Sequence, residues 1–319
     1  MGSFKVKLSV IIPTRNRASL LQKTLYSITR QTFPKEVFEV IIVDNGSTDN
    51  TQQVVEEFRN KIINLIYIYD NNPGLHVGRH RGLITAKSEI LVYADDDIEA
   101  FPSWLEAIFE TFKNDDVALV GGKVLPKFEV EPPEWIIEMW NKNKIVSYLS
   151  IIDLGDDLNE IDPYYVFGCN FSVKKSILFE AGGFHPDGMP ENLIKYRGDG
   201  ETHVSSFIKK SGYKTIYNPK ASVYHFVSKE RMTKEYFAKR AFNQGISDSY
   251  TDVRNDFKRN LVKFKMKTVI KKYFLRHDVF FEENYLKGYQ YHQNEFKNDK
   301  KLEEWIKKEN YITDGTILT

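Results

Sequence analysis

The sequence has 319 residues, of which 41% are apolar, so it can form one large domain with an appendage or two domains. Lys and Arg number 45 against 44 Asp and Glu, and the resulting net charge of +1 argues against a nucleic-acid partner. Its one cysteine, Cys169, excludes an intramolecular disulfide, and no apolar run approaches the roughly 20 residues of a membrane-spanning helix. We therefore expect a cytoplasmic protein, with attachment to the inner face of a membrane as an open alternative.

Strand and helix patterns alternate through the first part of the chain. Short apolar runs predict strands at 8–12, 40–43, 65–69, 90–94 and 117–120. Capped or amphipathic segments between them predict helices at 19–30, after Asp49, at 74–86 and at 101–112. This alternation predicts an α/β fold with a mostly parallel sheet flanked by helices, which binds ligands beyond the carboxyl ends of its strands.

The pattern changes in the second half. Residues 126–165 contain four prolines and no clear periodicity, and strand signals return near 166–173, 215–217 and 222–226. From about residue 228 onward the sequence predicts charged helices without strands. We therefore divide the chain into an α/β domain, 1–227, and a helical carboxyl-terminal region, 228–319.

Polar residues follow the first two predicted strands. Pro13, Thr14 and Arg15 come after the first strand, where they either contact a nucleotide or form a plain strand-to-helix turn. Asp44 comes after the second, where an acidic side chain can bind a base or a ribose. The residues at 47–49 are typical of a turn and a helix cap.

Three adjacent carboxylates, Asp95, Asp96 and Asp97, follow the fourth predicted strand. Like charges at a buried strand end repel one another, so the cluster indicates a compensating cation, and oxygen ligands suit Mg²⁺ or Mn²⁺. Such an ion can neutralise the charge of a departing diphosphate. A solvated acidic loop is the alternative interpretation.

Six sequence blocks in order resemble the family 2 glycosyltransferases, an inverting group with the GT-A fold. The resemblance covers roughly residues 6–227. Each block alone would match many unrelated proteins, but the six blocks in this order are specific to the family. The blocks are SVIIPTRNR at 9–17, VDNGSTD at 43–49, NPGLHVGRHRG at 72–82, YADDD at 93–97, GCNFS at 168–172 with GGF at 182–184, and GY at 212–213 with PxAxVxH at 219–225.

The resemblance implies a role for each matching residue. Asp44 would contact the base, commonly uracil, and Asp97 would bind the metal. His225 would help hold the metal or the diphosphate, although a capped strand end also explains it. The implied nucleotide-sugar-binding residues are Pro13, Thr14, Arg15, Asp44, Arg79, Asp95 and Asp96. Relatives usually have Ala-Arg-Asn at 78–80, so the role of His80 stays open.

Two carboxylates compete for the role of catalytic base. Inverting transfer needs a carboxylate to take the proton of the acceptor hydroxyl. Counting back from Gly212 places Glu201 at the position of the family's usual aspartate, whereas alignment on Gly198 favours Asp199. We expect Glu201 and keep Asp199 as the alternative.

Residues 258–276 hold eight Lys or Arg, no acidic residue and several apolar positions. A basic amphipathic helix can lie on an anionic membrane surface, and an ordinary packed helix with a solvated face is the other interpretation. The membrane interpretation agrees with the lipid-linked acceptors that related enzymes often use.

The sequence thus predicts an inverting transferase that moves a hexosyl or N-acetylhexosaminyl group from a nucleotide-diphosphate sugar, with UDP expected, to a saccharide or lipid-linked acceptor. The cofactor would be Mn²⁺ or Mg²⁺, and the resemblance implies polysaccharide biosynthesis as the context. Two rivals remain: a non-catalytic nucleotide-sugar-binding subunit and a sugar nucleotidyltransferase. The latter usually has a Gly-rich loop after its first strand, and 13–17 contain no glycine.

Overall fold

A computed structural model describes residues 5–273 and 279–312 of the chain. Within these residues the backbone forms thirteen strands. In chain order they are β1 Leu8–Thr14, β2 Phe38–Asp44, β3 Leu65–Tyr69, β4 Ile90–Ala94, β5 Ile98–Ala100, β6 Val117–Gly121, β7 Val124–Phe128, β8 Ile145–Val146, β9 Ile151–Ile152, β10 Asn159–Glu160, β11 Asn170–Lys174, β12 Lys214–Tyr217 and β13 Val223–Val227.

Eight of these strands form the central sheet, in the order β10-β12-β6-β11-β4-β1-β2-β3. The strands β4, β1, β2 and β3 run parallel, as do β12 and β6. β11 is antiparallel to both of its neighbours, and β10 is antiparallel to β12. Every residue of β1 and β2 is buried, which explains their near-continuous apolar sequences.

A second sheet of five strands lies in the order β5-β13-β7-β9-β8. The strand predicted at 222–226 is β13, and it pairs in parallel with β7 and antiparallel with β5. The chain-order pattern did not predict this sheet, because several of its strands are only two or three residues long. It carries His225 towards the end of β4.

Helices cover both faces of the central sheet, as the sequence predicted, and continue beyond it. In the described chain they are α1 Ala18–Thr29, α2 Thr51–Glu56, α3 Leu75–Thr85, α4 Trp104–Thr111, α5 Glu134–Asn143, α6 Lys175–Glu180, α7 Glu201–Lys210, α8 Lys234–Arg254, α9 Leu261–Tyr273, α10 Phe280–Asn298 and α11 Lys300–Lys307. One large apolar cluster packs on one face of the central sheet and a smaller one on the other. The irregular stretch 126–165 contains α5 and three short strands.

The helical region packs tightly on itself and on the α/β part. α8 crosses α10 at two glycines, since a Cβ atom at Gly288 would overlap the carbonyl oxygen of Phe242 and one at Gly245 would overlap that of Tyr285. Trp305 of α11 donates its indole N–H to the carbonyl of Tyr196 at 2.9 Å. None of the helices in the described residues has the length and apolarity that crossing a bilayer requires.

Candidate functional site

The carboxyl ends of β4, β1 and β2 lie side by side, and two adjoining cavities open there. The larger cavity has a volume of about 560 Å³ and the smaller one about 260 Å³. Both are lined by Arg17, Leu75 and Asp95, so they adjoin at these residues. The structure therefore has one composite site at the edge where the sequence predicted ligand binding.

Most of the predicted nucleotide-sugar residues lie around this site. The smaller cavity is lined by Pro13, Thr14, Arg15, Asp95 and Asp96, and Arg79 lines the larger one. Asp44 lines neither cavity. Its carboxylate is buried, and it accepts hydrogen bonds of 2.7 Å from the Ser47 backbone N–H and from the Tyr67 hydroxyl. Contact between Asp44 and a base stays a prediction.

Asp96 is held by two neighbours from the end of β1 and the loop after it. Thr14 Oγ1 donates to Asp96 Oδ2 at 2.7 Å, and Arg17 Nη1 lies 2.8 Å from Asp96 Oδ1. Burial raises the pKa of Asp96 to about 7, although the positive charge of Arg17 opposes this shift. Asp96 therefore gains or loses its charge near neutral pH.

Asp97 is buried among positive charges. Arg17 Nη2 donates to Asp97 Oδ2 at 2.5 Å, and Arg231 Nη1 lies 3.4 Å from the same oxygen. Burial alone would raise its pKa, but His225, Arg17 and Arg231 together hold the pKa of Asp97 well below its usual range. Burial and the charge of Asp97 raise the pKa of Asp95 instead.

His225 faces Asp97 with Nε2, which lies 3.2 Å from Asp97 Oδ1. Its Nδ1 lies 3.0 Å from the carbonyl oxygen of Leu149, which can only accept, so Nδ1 carries a proton. Arg231 Nη1 lies 3.3 Å from Nε2. A proton on Nε2 pairs the ring with Asp97, and without that proton Nε2 has a lone pair that can bind a metal ion.

The same atoms fit a divalent cation. Asp97 Oδ1 is buried and has no hydrogen-bond donor, although it lies in ion-pair range of His225. Two neighbouring ligands of an octahedral ion at about 2.1 Å would lie about 3.0 Å apart, close to the 3.2 Å between Asp97 Oδ1 and His225 Nε2. One oxygen of Asp95 and a ring nitrogen of His225 lie within 4.8 Å of each other and of Cys169 Sγ. Burial raises the pKa of Cys169 well above its usual value, so its thiol stays protonated and is a poor ligand.

Glu201 is the more available of the two candidate bases. It begins α7 and lines the larger cavity, and its side chain is 27% exposed. Its Oε2 accepts from Arg79 Nη1 at 3.1 Å, and its Oε1 accepts from the Gly168 backbone N–H at 3.3 Å. A Cβ atom at Gly168 would overlap the Arg79 guanidinium, so a larger residue there would displace the end of that side chain.

Both oxygens of Asp199 are already engaged. His185 Nδ1 lies 2.5 Å from Oδ1, and Thr251 Oγ1 of α8 donates to Oδ2 at 2.7 Å. Burial opposes the charged form, but His185 and these hydrogen bonds lower the pKa of Asp199. Asp199 also lines the larger cavity, where its contacts fix α7 against α8.

Sequence reasoning missed several charged residues of the site. Arg231 reaches Asp97 across 134 positions of sequence and lies in no recognisable block. Asp187 is ion-paired to Arg197 Nη2 at 2.7 Å in the wall of the larger cavity. Arg17 lies in the first sequence block. Its basic side chain near the end of a predicted strand was the one sequence feature that indicated a charged residue of this site.

Sequence comparison identifies several relatives. Residues 9–186 match the family described as glycosyl transferase family 2. Glycosyltransferase AglE of Haloferax volcanii is 40% identical over 117 residues, which are 36% of this chain and 38% of that protein. The glucosyl-dolichyl phosphate glucuronosyltransferase of the same organism is 26% identical over 262 residues, 78% of each chain. This chain thus spans well under half of the first relative and most of the second.

Solved structures share the fold. The mannosyltransferase PcManGT from Pyrobaculum calidifontis, in complex with GDP-Man and Mn²⁺, superposes with a TM-score of 0.55 at 21% identity, over 76% of this chain and 63% of that one. Residues 1–349 of S. aureus TarS, in complex with UDP-GlcNAc, superpose with a TM-score of 0.52 at 21% identity, over 94% and 77%. The central sheet flanked by helices is therefore the GT-A arrangement that the sequence predicted, and since the family match covers more than half of the chain, this protein belongs to glycosyl transferase family 2.

Proposed function

We propose that this protein is an inverting glycosyltransferase, which moves a hexosyl or N-acetylhexosaminyl group from a UDP-sugar to a hydroxyl of a saccharide or lipid-linked acceptor during polysaccharide assembly. One observation carries the proposal. The partly exposed carboxylate of Glu201 lines the same cavity as Asp95 and Asp97, and that cavity adjoins the smaller one at Asp95. A base and a leaving-group site are the two requirements of a single displacement.

The donor nucleotide is assigned to the smaller cavity. Pro13, Thr14 and Arg15 border it, and Arg17 and Asp95 connect it to the larger one. UDP is the expected nucleotide, because a relative of this fold has been solved with UDP-GlcNAc. GDP is the alternative, since PcManGT has been solved with GDP-Man.

Asp95, Asp97 and His225 would hold the metal ion. The imidazole in this set favours Mn²⁺ over Mg²⁺, which prefers oxygen ligands. When bound, the ion neutralises charge on the diphosphate leaving group. The Leu149 carbonyl keeps the proton on Nδ1 of His225 and so leaves Nε2 able to coordinate.

Glu201 is assigned as the base. As the acceptor oxygen forms its bond to the anomeric carbon, the bond from that carbon to the diphosphate oxygen breaks. The hydroxyl proton passes to Glu201, and the nucleoside diphosphate leaves with the electron pair. The Arg79 guanidinium and the Gly168 N–H orient the carboxylate. Asp199 is assigned a positioning role, because both of its oxygens hold neighbouring side chains.

The two parts of the chain have different roles in this proposal. We assign donor binding and the chemistry to residues 1–227, and the acceptor-facing wall of the larger cavity to the helical region 228–319. Support comes from α8, which lines that cavity with Tyr236, Arg240 and Thr251.

The test is metal-dependent release of nucleotide from a panel of UDP-, GDP- and dTDP-sugars. We expect slow hydrolysis of a UDP-sugar that requires Mn²⁺, stops in EDTA and is lost in Asp97→Ala. An Asp115→Ala variant on the surface is the matched control. Tight UDP binding without turnover under any condition would instead support the non-catalytic rival.

We also propose that α9 rests on an anionic membrane surface. Val262, Met266 and Val269 share one face of this helix and are 68%, 59% and 49% exposed. Exposed lysines at 263 and 265 flank them. Apolar side chains beside lysines suit the boundary between head groups and acyl chains. Of the predicted segment 258–276, residues 274–276 lie outside the described part of the chain.

Flotation with vesicles tests this contact. We expect binding to vesicles containing phosphatidylglycerol, weaker binding at high salt, and loss of binding when Val262 and Met266 are both changed to Ser. Vesicles of phosphatidylcholine alone are the matched lipid control. Equal recovery of the wild type and the double variant with phosphatidylglycerol vesicles would contradict the proposal.

A further inference from the structure

The charged residues that line the larger cavity are almost completely paired. Six arginines face it, and five of them contact a carboxylate. These pairs are Arg17 with Asp96 and Asp97, Arg79 with Glu201, Arg197 with Asp187, Arg231 with Asp97, and Arg259 with Asp248 and Asp252. Asp199 is paired with His185.

This pairing leaves one carboxylate and one guanidinium without a hydrogen bond or an ion pair among the described residues, Asp95 and Arg240. Asp95 belongs to the proposed metal site, where a bound cation would balance its negative charge. Arg240 is half-buried, and it makes no hydrogen bond or ion pair within the described chain. The charge of Arg240 acts on Asp187 and lowers the pKa of that carboxyl, but Asp187 Oδ1 is paired with Arg197 Nη2 at 2.7 Å. A guanidinium drawn partly out of water without a hydrogen-bonded countercharge is stabilised by binding an anion.

Arg240 belongs to a polar stripe on α8. The residues of this helix that line the cavity recur at the helical period, and they are Tyr236, Arg240, Gln244, Ser247, Asp248 and Thr251. The opposite side of the helix is buried, with Ala238, Gly245 and Ser249, and Gly245 meets the Tyr285 carbonyl of α10 there. The stripe is therefore a rigid wall that faces the cavity.

We propose that Arg240 binds an anionic group, of the phosphate class, carried by the acceptor. This inference rests on the proposed function, because it assigns the larger cavity to the acceptor. We assign the donor diphosphate to the neighbourhood of Asp97 and Arg231 rather than to Arg240. Asp97 and its ion pair with Arg231 mark the diphosphate side, the Arg231 guanidinium lies 5.7 Å from the Tyr236 ring centre, and Arg240 lies one helical turn beyond Tyr236. Arg240 and a phosphate can form two parallel hydrogen bonds, which gives this subsite its selectivity.

Calorimetric titration of the full chain tests the subsite, with UDP and Mn²⁺ present to fill the donor side. The probes are glucose 1-phosphate and methyl glucoside, which share the sugar and differ in the phosphate. We expect the wild type to bind glucose 1-phosphate about 10-fold or more tightly than methyl glucoside. Arg240→Gln should abolish this preference, Arg240→Lys should keep part of it, and Arg30→Gln on the surface should keep all of it.

Two results would overturn the proposal. One is a preference for glucose 1-phosphate that Arg240→Gln leaves unchanged, or no such preference in the wild type. The other is selective loss of UDP-glucuronate binding relative to UDP-glucose in Arg240→Gln, which would assign the anion to the donor sugar. Failure of UDP to bind the wild type would refute the proposed donor site instead. The same titrations without UDP would then still report on Arg240.

Discussion

Replacing Glu201 with glutamine removes the proposed base while keeping the size of the side chain. The amide oxygen of glutamine can still accept from the Gly168 N–H, which lies 3.3 Å from Glu201 Oε1. It cannot take the proton of an acceptor hydroxyl. A positioned general base contributes about 10²- to 10⁴-fold, so we expect the barrier to rise by about 3–5 kcal/mol and kcat to fall accordingly.

The fold should tolerate this change. Arg79 is only 4% exposed and loses its countercharge at 3.1 Å, which costs about 3–5 kcal/mol for a fully buried pair. Glu201 is 27% exposed, so water screens the pair and we expect a loss below about 3 kcal/mol. That is less than the stability of a typical domain, about 5–15 kcal/mol.

Asp199→Asn is the contrasting variant. The new amide cannot accept on its nitrogen side, so either His185 Nδ1 or Thr251 Oγ1 loses its acceptor inside the protein. We therefore expect Asp199→Asn to lower the melting temperature more than Glu201→Gln, and to lower kcat of the folded fraction less.

Three measurements on each variant show whether Glu201 or Asp199 is the base. They are kcat for sugar release, the melting temperature by circular dichroism, and UDP affinity by calorimetry. UDP affinity should be unchanged in Glu201→Gln, because Glu201 lines only the larger cavity. Wild-type turnover in Glu201→Gln, together with a folded, UDP-binding and inactive Asp199→Asn, would refute the assignment and make Asp199 the base.

Three further variants test the metal site, a buried histidine and the packing of the helical region. Asp97→Asn should weaken Mn²⁺ binding in a calorimetric titration, whereas Cys169→Ala should leave it unchanged because the buried thiol stays protonated. Unchanged Mn²⁺ affinity in Asp97→Asn would remove Asp97 from the ligand set, and weaker binding in Cys169→Ala would add the thiol to it. Burial lowers the pKa of His292 to about 4. Below pH 6.5 the unfolded chain therefore binds a proton at His292 that the folded chain does not bind. The free energy of unfolding consequently decreases as the pH falls from 6.5 to about 4. In urea unfolding, His292→Gln should therefore reduce the loss of stability over this window by about 1.4 kcal/mol per pH unit, and an unchanged slope would contradict the buried neutral state. Gly288→Ala forces a methyl group against the Phe242 carbonyl and should cost about 1–3 kcal/mol, measured as a lower melting temperature; an unchanged value would show that α8 and α10 can move apart freely.

The inner strands of the central sheet were predictable because they are short and buried on both faces. The runs at 8–12, 40–43 and 90–94 are continuous apolar segments between helices, and their observed ends differ from the predicted ones by two residues at most. The second sheet was not predictable in this way. β8 and β9 have two residues each, too few for a periodicity, and their pairing depends on contacts distant in sequence.

The site was predictable where one strand end carries several functional residues. Asp95, Asp96 and Asp97 lie together by covalent connection, and the parallel order of β4 and β1 brings Thr14 to Asp96. The rivalry between Glu201 and Asp199 was not resolvable from sequence, because both line the same cavity. What separates them is which oxygens are already occupied, and that depends on His185 and Thr251.

The sequence did not predict that α8 forms a wall of the larger cavity, and the physical reason is different. In the sequence, Tyr236, Arg240, Gln244 and Asp248 recur at the helical period as a polar stripe, which is the pattern of any surface helix with a solvated face. Only the packing of α8 against α10 turns that stripe towards the cavity, and glycines at the crossing permit the close approach. A polar helix face becomes part of a site when another element confines the water in front of it. The unpaired charge of Arg240 is visible only once that confinement and the pairing of its neighbours are known.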